Sequence, residues 1–169
     1  MNKIILALDT TDLKEAIEIA SKIKNKIYTI KLGLEFFLFN GKEGIKKFNE
    51  IGITNLMLDL KLKDIPDTVY KAIKTLNDID FGYITIHGQG GRSMLDKAKK
   101  AASEIKSKPK IMMVTILTAL NDDDLKEMGN NNTVIQQVEK LANLAKELEV
   151  GVVCSGHEAK IVRKIIGPK

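Results

Sequence analysis

Residues 59–66 read Asp-Leu-Lys-Leu-Lys-Asp-Ile-Pro, and the rest of the chain is organised around this stretch. The apolar run before it, residues 53–58, is typical of a buried strand, and residues 67–77 have the apolar spacing of a helix. Pro66 suits the first helical position, because no amide donor is needed there. The stretch therefore predicts the carboxyl end of a strand and a turn into a helix.

Charged side chains crowd this strand end. Side chains two positions apart on a strand share a face, so we expect Asp59 and Lys61 to point the same way, with Asp64 in the turn beyond them. One interpretation is an ion pair on the rim of an α/β protein, and the other is a catalytic site. The spacing alone leaves both interpretations open.

Apolar runs recur along the chain at intervals of roughly 25 to 30 residues and alternate with helical patterns, which indicates a parallel α/β fold. The predicted strands are residues 4–8, 27–32, 53–61, 81–86, 111–117 and 150–154. A helix is expected over about residues 42–50. No linker interrupts the pattern, so we predict one domain over residues 1–169 with six β/α units, whereas a closed barrel needs eight units and about 250 residues.

Functional side chains follow five consecutive predicted strands. They are Asp9, Lys31, the pair Asp59 and Lys61, His87 and Thr118. In open α/β sheets and in barrels alike, the carboxyl ends of the strands line the site. This series therefore favours a catalytic site over a rim ion pair.

Three other features have structural interpretations that we prefer. His87 is expected to be a hydrogen-bonded residue at a strand end rather than a general base. The glycine-rich residues 88–91 are expected to form a tight turn rather than a phosphate-binding nest. The cluster Phe-Phe-Leu-Phe at residues 36–39 predicts core packing or a dimer contact.

Composition excludes several classes of function. Hydrophobic residues make up 44% of the chain, charged residues 29%, and the formal charge of +5 suits an anionic substrate. The lysines are scattered, so no nucleic-acid-binding tract is predicted, and no apolar run approaches the length of a membrane span. Cys154 is the single cysteine, which excludes an internal disulfide. The single cysteine and the lack of a signal-peptide pattern at residues 1–3 together predict a cytoplasmic protein. Two histidines and one cysteine predict no metal site.

Motifs beyond residues 59–66 carry a family resemblance. They are Leu6-Ala-Leu-Asp9, Lys31-Leu-Gly33, Asp59-x-Lys61-x-x-Asp64-Ile-Pro-x-Thr68, His87-Gly-x-Gly-Gly91, Val114-Thr-x-Leu-Thr118 and Val152-Val-Cys-Ser155. In order and spacing this set resembles the bacterial pattern of the orotidine 5′-phosphate decarboxylase family over essentially the whole chain. The Asp-x-Lys-x-x-Asp core alone also occurs in related magnesium-dependent sugar-phosphate decarboxylases and synthases, which remain the alternative enzyme class.

The resemblance implies a (β/α)8 TIM barrel that decarboxylates orotidine 5′-monophosphate to UMP and CO2 in pyrimidine biosynthesis, with no metal or organic cofactor. Carried over by position, Lys61 is the proton donor to the pyrimidine carbon that loses its carboxylate. Asp59 lies where the departing carboxylate sits. Asp9 and Lys31 hold ribose hydroxyls, and Thr118 lies near the base.

The resemblance also implies a homodimer with shared active sites. The implied catalytic residues are Lys31, Asp59, Lys61 and Asp64. The first three come from one subunit, and Asp64 comes from the partner. Ile65 and Thr68, which follow Asp64, also line the substrate. Acids and lysines alternate in this set, so each lysine has an anionic neighbour that favours its charged form.

The chain ends where family members begin strand seven, so we expect a TIM-barrel type truncated to about six β/α units. In the family, the last two units carry a glutamine and arginines that grip the substrate phosphate. Either the chain is a fragment of a longer product, or the sequence is incomplete, or another chain supplies the missing part. An inactive remnant that retains the dimer face is the non-enzyme alternative.

Overall fold

The computed structural model describes residues 4–24 and 26–167. Residues 1–3, which carry no signal-peptide pattern in the sequence, lie outside the described residues. Within these ranges six strands form one sheet: β1 (Ile5–Leu8), β2 (Thr29–Gly33), β3 (Leu56–Leu62), β4 (Tyr83–His87), β5 (Lys110–Val114) and β6 (Gly151–Val153). The helices are α1 (Leu13–Ile23), α2 (Leu34–Glu50), α3 (Pro66–Lys74), α4 (Gly91–Glu104), α5 (Asp122–Glu127), α6 (Val134–Glu147) and α7 (Ala159–Ile166).

The strands lie side by side in sequence order, β1 to β6, and every neighbouring pair is parallel. The sheet curls into a half-barrel, which confirms the predicted TIM-barrel type with six β/α units. Parallel strands need helical crossovers, and the central strands are buried because helices cover them. All carboxyl ends therefore lie on one edge of the half-barrel.

The core explains why α2 begins earlier than predicted. The expected start near residue 42 is wrong, because α2 begins at Leu34 and includes the aromatic cluster. Phe36 and Phe48 are both fully buried and pack edge to face, with their ring centroids 5.7 Å apart. Gly41, with φ of 59°, interrupts the regular helical geometry between the two halves. The helical spacing of apolar residues in the sequence predicted only the second half of α2, from about residue 42.

The boundaries of all six strands differ from the prediction by a few residues, and the differences in β3 and β5 bear on the site. β3 starts at Leu56, later than predicted, and runs through Leu62, with Asp59 and Lys61 inside the strand as predicted. β5 ends at Val114, which leaves Thr118 in the following loop. Among the described residues, no helix is long and apolar enough to cross a membrane.

Candidate active site

Asp59 is the centre of a charged cluster at the carboxyl edge of the sheet. It lies in β3 and is only 8% exposed. Its Oδ2 atom lies 2.8 Å from the Lys61 Nζ atom and 3.4 Å from the Lys31 Nζ atom. One nearly buried carboxylate therefore contacts two ammonium groups, whereas a simple ion pair on the rim would join one carboxylate to one ammonium group.

Lys31 extends the cluster to the first strand. Its Nζ atom lies 3.9 Å from Asp9 Oδ1, and the lysine side chain is 26% exposed while that of Asp9 is 63% exposed. The strand register explains this proximity, because Leu8 is level with Leu32 in β2 and Gly33 is level with Asp59 in β3. The structure thus brings Asp9, Lys31, Asp59 and Lys61 together in an alternating row of charges.

A bulge in β3 directs the Lys61 side chain. The register between β3 and β4 is interrupted between Leu58 and Leu62, and Lys61 has the left-handed φ of 47°. Such a φ is uncommon for a residue other than glycine. The Asp59 and Lys61 side chains do converge as the spacing predicts, but the intervening strand is irregular, so simple alternation is not the cause.

The electrostatic surroundings of Asp59 favour its ionised form. Burial, the largest single influence, acts to raise the pKa of this carboxyl. Hydrogen bonds from Lys61 and Thr85, together with the charges of Lys61 and Lys31, outweigh burial and lower the pKa below its usual value. The carboxylate therefore keeps its negative charge between the two ammonium groups.

This lowered pKa predicts how stability depends on pH. The pKa of Asp59 is lower in the folded chain than the value of about 3.9 expected for the unfolded chain. Its contribution is therefore present above about pH 4 and is lost as the pH falls through the folded pKa. Urea unfolding from pH 7 down to pH 3 should show the stability difference between the parent and Asp59→Asn shrinking with acidity. A difference that stays constant over this range would contradict the assignment.

Four predicted site residues lie away from this cluster within one chain. Asp64, Ile65, Thr68 and Thr118 are all exposed. The Asp64 carboxylate accepts a hydrogen bond from the Ile65 amide at 2.6 Å. Across the described ranges, no hydrogen bond or ion pair joins any of the four to Asp59.

His87 is a buried residue at a strand end. It is 8% exposed, and its Nδ1 atom accepts a hydrogen bond from the Gln89 amide at 3.4 Å. Burial, followed by the charges of Lys63 and Lys61, lowers the pKa of the imidazole. A 3₁₀ turn over Gly88–Gly90 then leads into α4, so the preferred interpretation of these residues as a tight turn agrees with the structure.

Thr85 belongs to the cluster and was missed by the analysis of the sequence. It is fully buried in β4, and its hydroxyl donates to Asp59 Oδ1 at 2.9 Å. One signal could have found it: Thr85 is a hydroxyl residue within the otherwise apolar run 84–86, and buried polar groups almost always have a partner. Which partner it has could not be read from local spacing.

Comparison with known proteins places the chain in a family. The family described as "Orotidine 5'-phosphate decarboxylase / HUMPS family" matches residues 2–169. Curated relatives named orotidine 5′-phosphate decarboxylase include that of Sphingopyxis alaskensis, 43% identical over 95% of this chain and 70% of that protein. The relative from Ehrlichia chaffeensis is also 43% identical, over 96% of this chain and 69% of that protein.

Solved structures agree with this grouping. The orotidine 5′-phosphate decarboxylase of Lactobacillus acidophilus aligns with a TM-score of 0.88 and 33% identity, covering 99% of this chain and 78% of that one. The enzyme of Methanocaldococcus jannaschii, complexed with the inhibitor BMP, aligns with a TM-score of 0.81 and 26% identity, over 98% and 74% of the two chains. The chain belongs to the orotidine 5′-phosphate decarboxylase / HUMPS family.

Proposed function

We propose that this chain carries the catalytic cluster of an orotidine 5′-phosphate decarboxylase, which converts orotidine 5′-monophosphate to UMP and CO2 without a metal or organic cofactor in pyrimidine biosynthesis. One observation carries the proposal: the nearly buried Asp59 carboxylate lies 2.8 Å from Lys61 and 3.4 Å from Lys31. The names of the curated relatives and solved structures support the same reaction.

Lys61 is the proposed proton donor. When the bond between the ring and the carboxylate breaks, its electron pair stays on the ring carbon and CO2 leaves. The Lys61 ammonium then transfers a proton to that carbon, which completes UMP. An ammonium already held in place stabilises the negative charge that gathers on the carbon, and this preorganisation is a large source of catalysis.

The other charged groups of the cluster have distinct proposed roles. Asp59 holds Lys61 and Lys31 in place and lies where the departing carboxylate sits. Asp9 and Lys31 bind ribose hydroxyls, for which the partly exposed Asp9 carboxylate is accessible. Thr118, exposed in the loop after β5, contacts the base.

The remaining proposed site residues serve the second subunit of a homodimer. Asp64, Ile65 and Thr68 are exposed and, among the described residues, make no hydrogen bond or ion pair with the cluster of their own chain. Ile65, a large apolar side chain, is 67% exposed, which suits a contact surface. We therefore propose that the turn after β3 completes the partner's site. A cytoplasmic location fits a chain whose single cysteine is a free thiol.

A product assay tests the reaction. The purified chain is incubated with orotidine 5′-monophosphate and a chelator, and UMP is quantified by chromatography. We expect UMP to form without added metal. Absence of UMP, together with magnesium-dependent turnover of a sugar phosphate, would instead support the alternative enzyme class. Failure both to form UMP and to restore growth without pyrimidines to a decarboxylase-deficient host would support an inactive remnant.

Mixing two inactive variants tests the shared site. Lys61→Ala and Asp64→Ala should each be inactive as homodimers. In an equal mixture half of the dimers are mixed, and each has one site free of both changes, so about a quarter of the parent activity should return. Turnover is measured before and after subunit exchange. Different tags on the two variants are used to verify that mixed dimers have formed. Complete exchange with no recovery would refute sharing.

A further inference from the structure

The Thr85 hydroxyl connects two members of the cluster. It donates a hydrogen bond to Asp59 Oδ1 at 2.9 Å and accepts one from the Lys61 backbone amide at 2.8 Å. The directions are unambiguous, because a carboxylate only accepts and a backbone N–H only donates. A single fully buried hydroxyl therefore fixes a carboxylate on one side and a main-chain segment on the other.

Strand pairing explains why Thr85 is in this position. Ile84 in β4 is level with Leu58 in β3, and Ile86 is level with Leu62. The one residue between them, Thr85, therefore faces the three residues 59–61. A bulge leaves backbone groups without ladder partners, and the Thr85 hydroxyl satisfies one of them at Lys61. It also holds Lys61 at its left-handed φ of 47°, which residues with a side chain rarely adopt.

The orientation of Asp59 follows from the same hydroxyl. Thr85 binds Oδ1, so Oδ2 is the oxygen that contacts Lys61 at 2.8 Å and Lys31 at 3.4 Å. Without this bond the carboxylate could rotate, and both lysines would lose their fixed partner. No other hydroxyl of the described residues reaches either oxygen.

We infer that Thr85 is a positioning residue for the decarboxylation, acting through Asp59 and Lys61 without touching the substrate. The inference rests on the proposed function. A hydroxyl is required, because a valine of the same shape would leave Asp59 Oδ1 and the Lys61 amide unpaired in a buried place. Serine keeps the hydroxyl and loses only a methyl group, so Thr85→Ser should retain the function.

The test compares Thr85→Val and Thr85→Ser with a matched control, Thr29→Val. Thr29 is also buried, and its hydroxyl donates to the Asn55 carbonyl of the adjacent segment, but it lies at the amino end of β2. The control therefore loses one partly buried hydrogen bond at the opposite end of β2 from the charged cluster, at a residue that makes no hydrogen bond or ion pair with Asp59 or Lys61. Circular dichroism and urea unfolding are used to confirm that each variant is folded.

Kinetics distinguish positioning from general loss of stability. Thr85→Val should lower kcat about ten- to a hundredfold, as expected for losing a hydrogen bond to a charged group, with KM changed less than about threefold. Thr85→Ser and Thr29→Val should stay within about threefold of the parent. An active parent with an equally active Thr85→Val would overturn the inference and leave the proposed function intact. A parent that forms no UMP, even with a carboxyl-terminal fragment of a full-length relative added, would overturn both.

A titration that does not depend on turnover completes the test. With carboxyl-labelled aspartate, NMR follows the ionisation of Asp59 in the parent and in each variant. Since Thr85 is one of the hydrogen-bond donors that lower the pKa of Asp59, Thr85→Val should raise it, and Thr29→Val should leave it unchanged. An unchanged Asp59 titration in a folded Thr85→Val would show that the hydroxyl does not hold the carboxylate, which contradicts the inference.

Discussion

Replacing Lys61 by alanine should reduce UMP formation at least about a thousandfold, because the change removes both the proton donor and the charge that stabilises the carbanion. The chain should still fold. Asp59 keeps Lys31 at 3.4 Å and the Thr85 hydroxyl at 2.9 Å, so no buried charge is left without a partner. UMP formed per hour is the measurement, with urea unfolding to verify the fold.

Two further variants sharpen this experiment. Lys63→Ala removes the same type of side chain two residues away, at an exposed position outside the charged cluster, and should keep turnover within about threefold. Lys61→Arg retains the positive charge, but a guanidinium does not release a proton near neutral pH, so this variant should be nearly as inactive as Lys61→Ala. Turnover of Lys61→Ala within tenfold of the parent would refute the assignment of Lys61.

Adding a carboxyl-terminal fragment from a full-length relative should raise the catalytic efficiency of the 169-residue chain at least about a thousandfold. The chain aligns over 162 residues with 70% of the Sphingopyxis alaskensis relative, and its described residues form six strands. In barrels of eight units, loops after the last two strands commonly bind phosphate. Each charge-assisted contact to the phosphate contributes roughly 1.5–3 kcal/mol. The loss of two or more such contacts corresponds to a decrease in catalytic efficiency of about a thousandfold.

The same fragment should improve folding as well as chemistry. Within the described part of the chain, β1 and β6 each pair on one side only, and an unpaired strand edge favours aggregation. Phosphate binding remote from the reacting carbon can lower the chemical barrier itself, so kcat should rise together with affinity. We would measure kcat and KM of the chain with and without the fragment, and solubility by light scattering.

A matched control separates completion of the barrel from activity of the fragment. The fragment alone, and the fragment added to the Lys61→Ala chain, should form no UMP above background. If the 169-residue chain alone equals the completed assembly within tenfold, the six described β/α units are sufficient and the prediction is wrong.

Periodic patterns in the sequence were sufficient to predict the fold class. Six apolar runs separated by helical patterns indicated a parallel sheet, and parallel strands place their carboxyl ends on one edge. That rule grouped Asp9, Lys31, Asp59 and Lys61, spread over 53 residues of sequence, together with His87 and Thr118, which make no hydrogen bond or ion pair with Asp59 among the described residues. The structure places the side chains of the first four residues in contact in a row.

Local spacing could not predict where elements adjust to their neighbours. α2 begins at Leu34 because Phe36 packs against Phe48, a contact within the core that a search for helical periodicity starting at residue 42 does not detect. Similarly, β5 ends at Val114, and the apolar residues beyond it belong to a loop. Tertiary packing overrides local preference at such boundaries.

The sequence by itself determined the class of fold, the strand that carries the site and the types of charge at its centre. Only the tertiary structure decided how Asp59 and Lys61 converge, through a bulge with Lys61 at a φ of 47° and through the Thr85 hydroxyl of the next strand. The physical reason is that periodicity reports which face a side chain occupies. Register between strands depends instead on pairing between segments that lie about 25 residues apart in the chain.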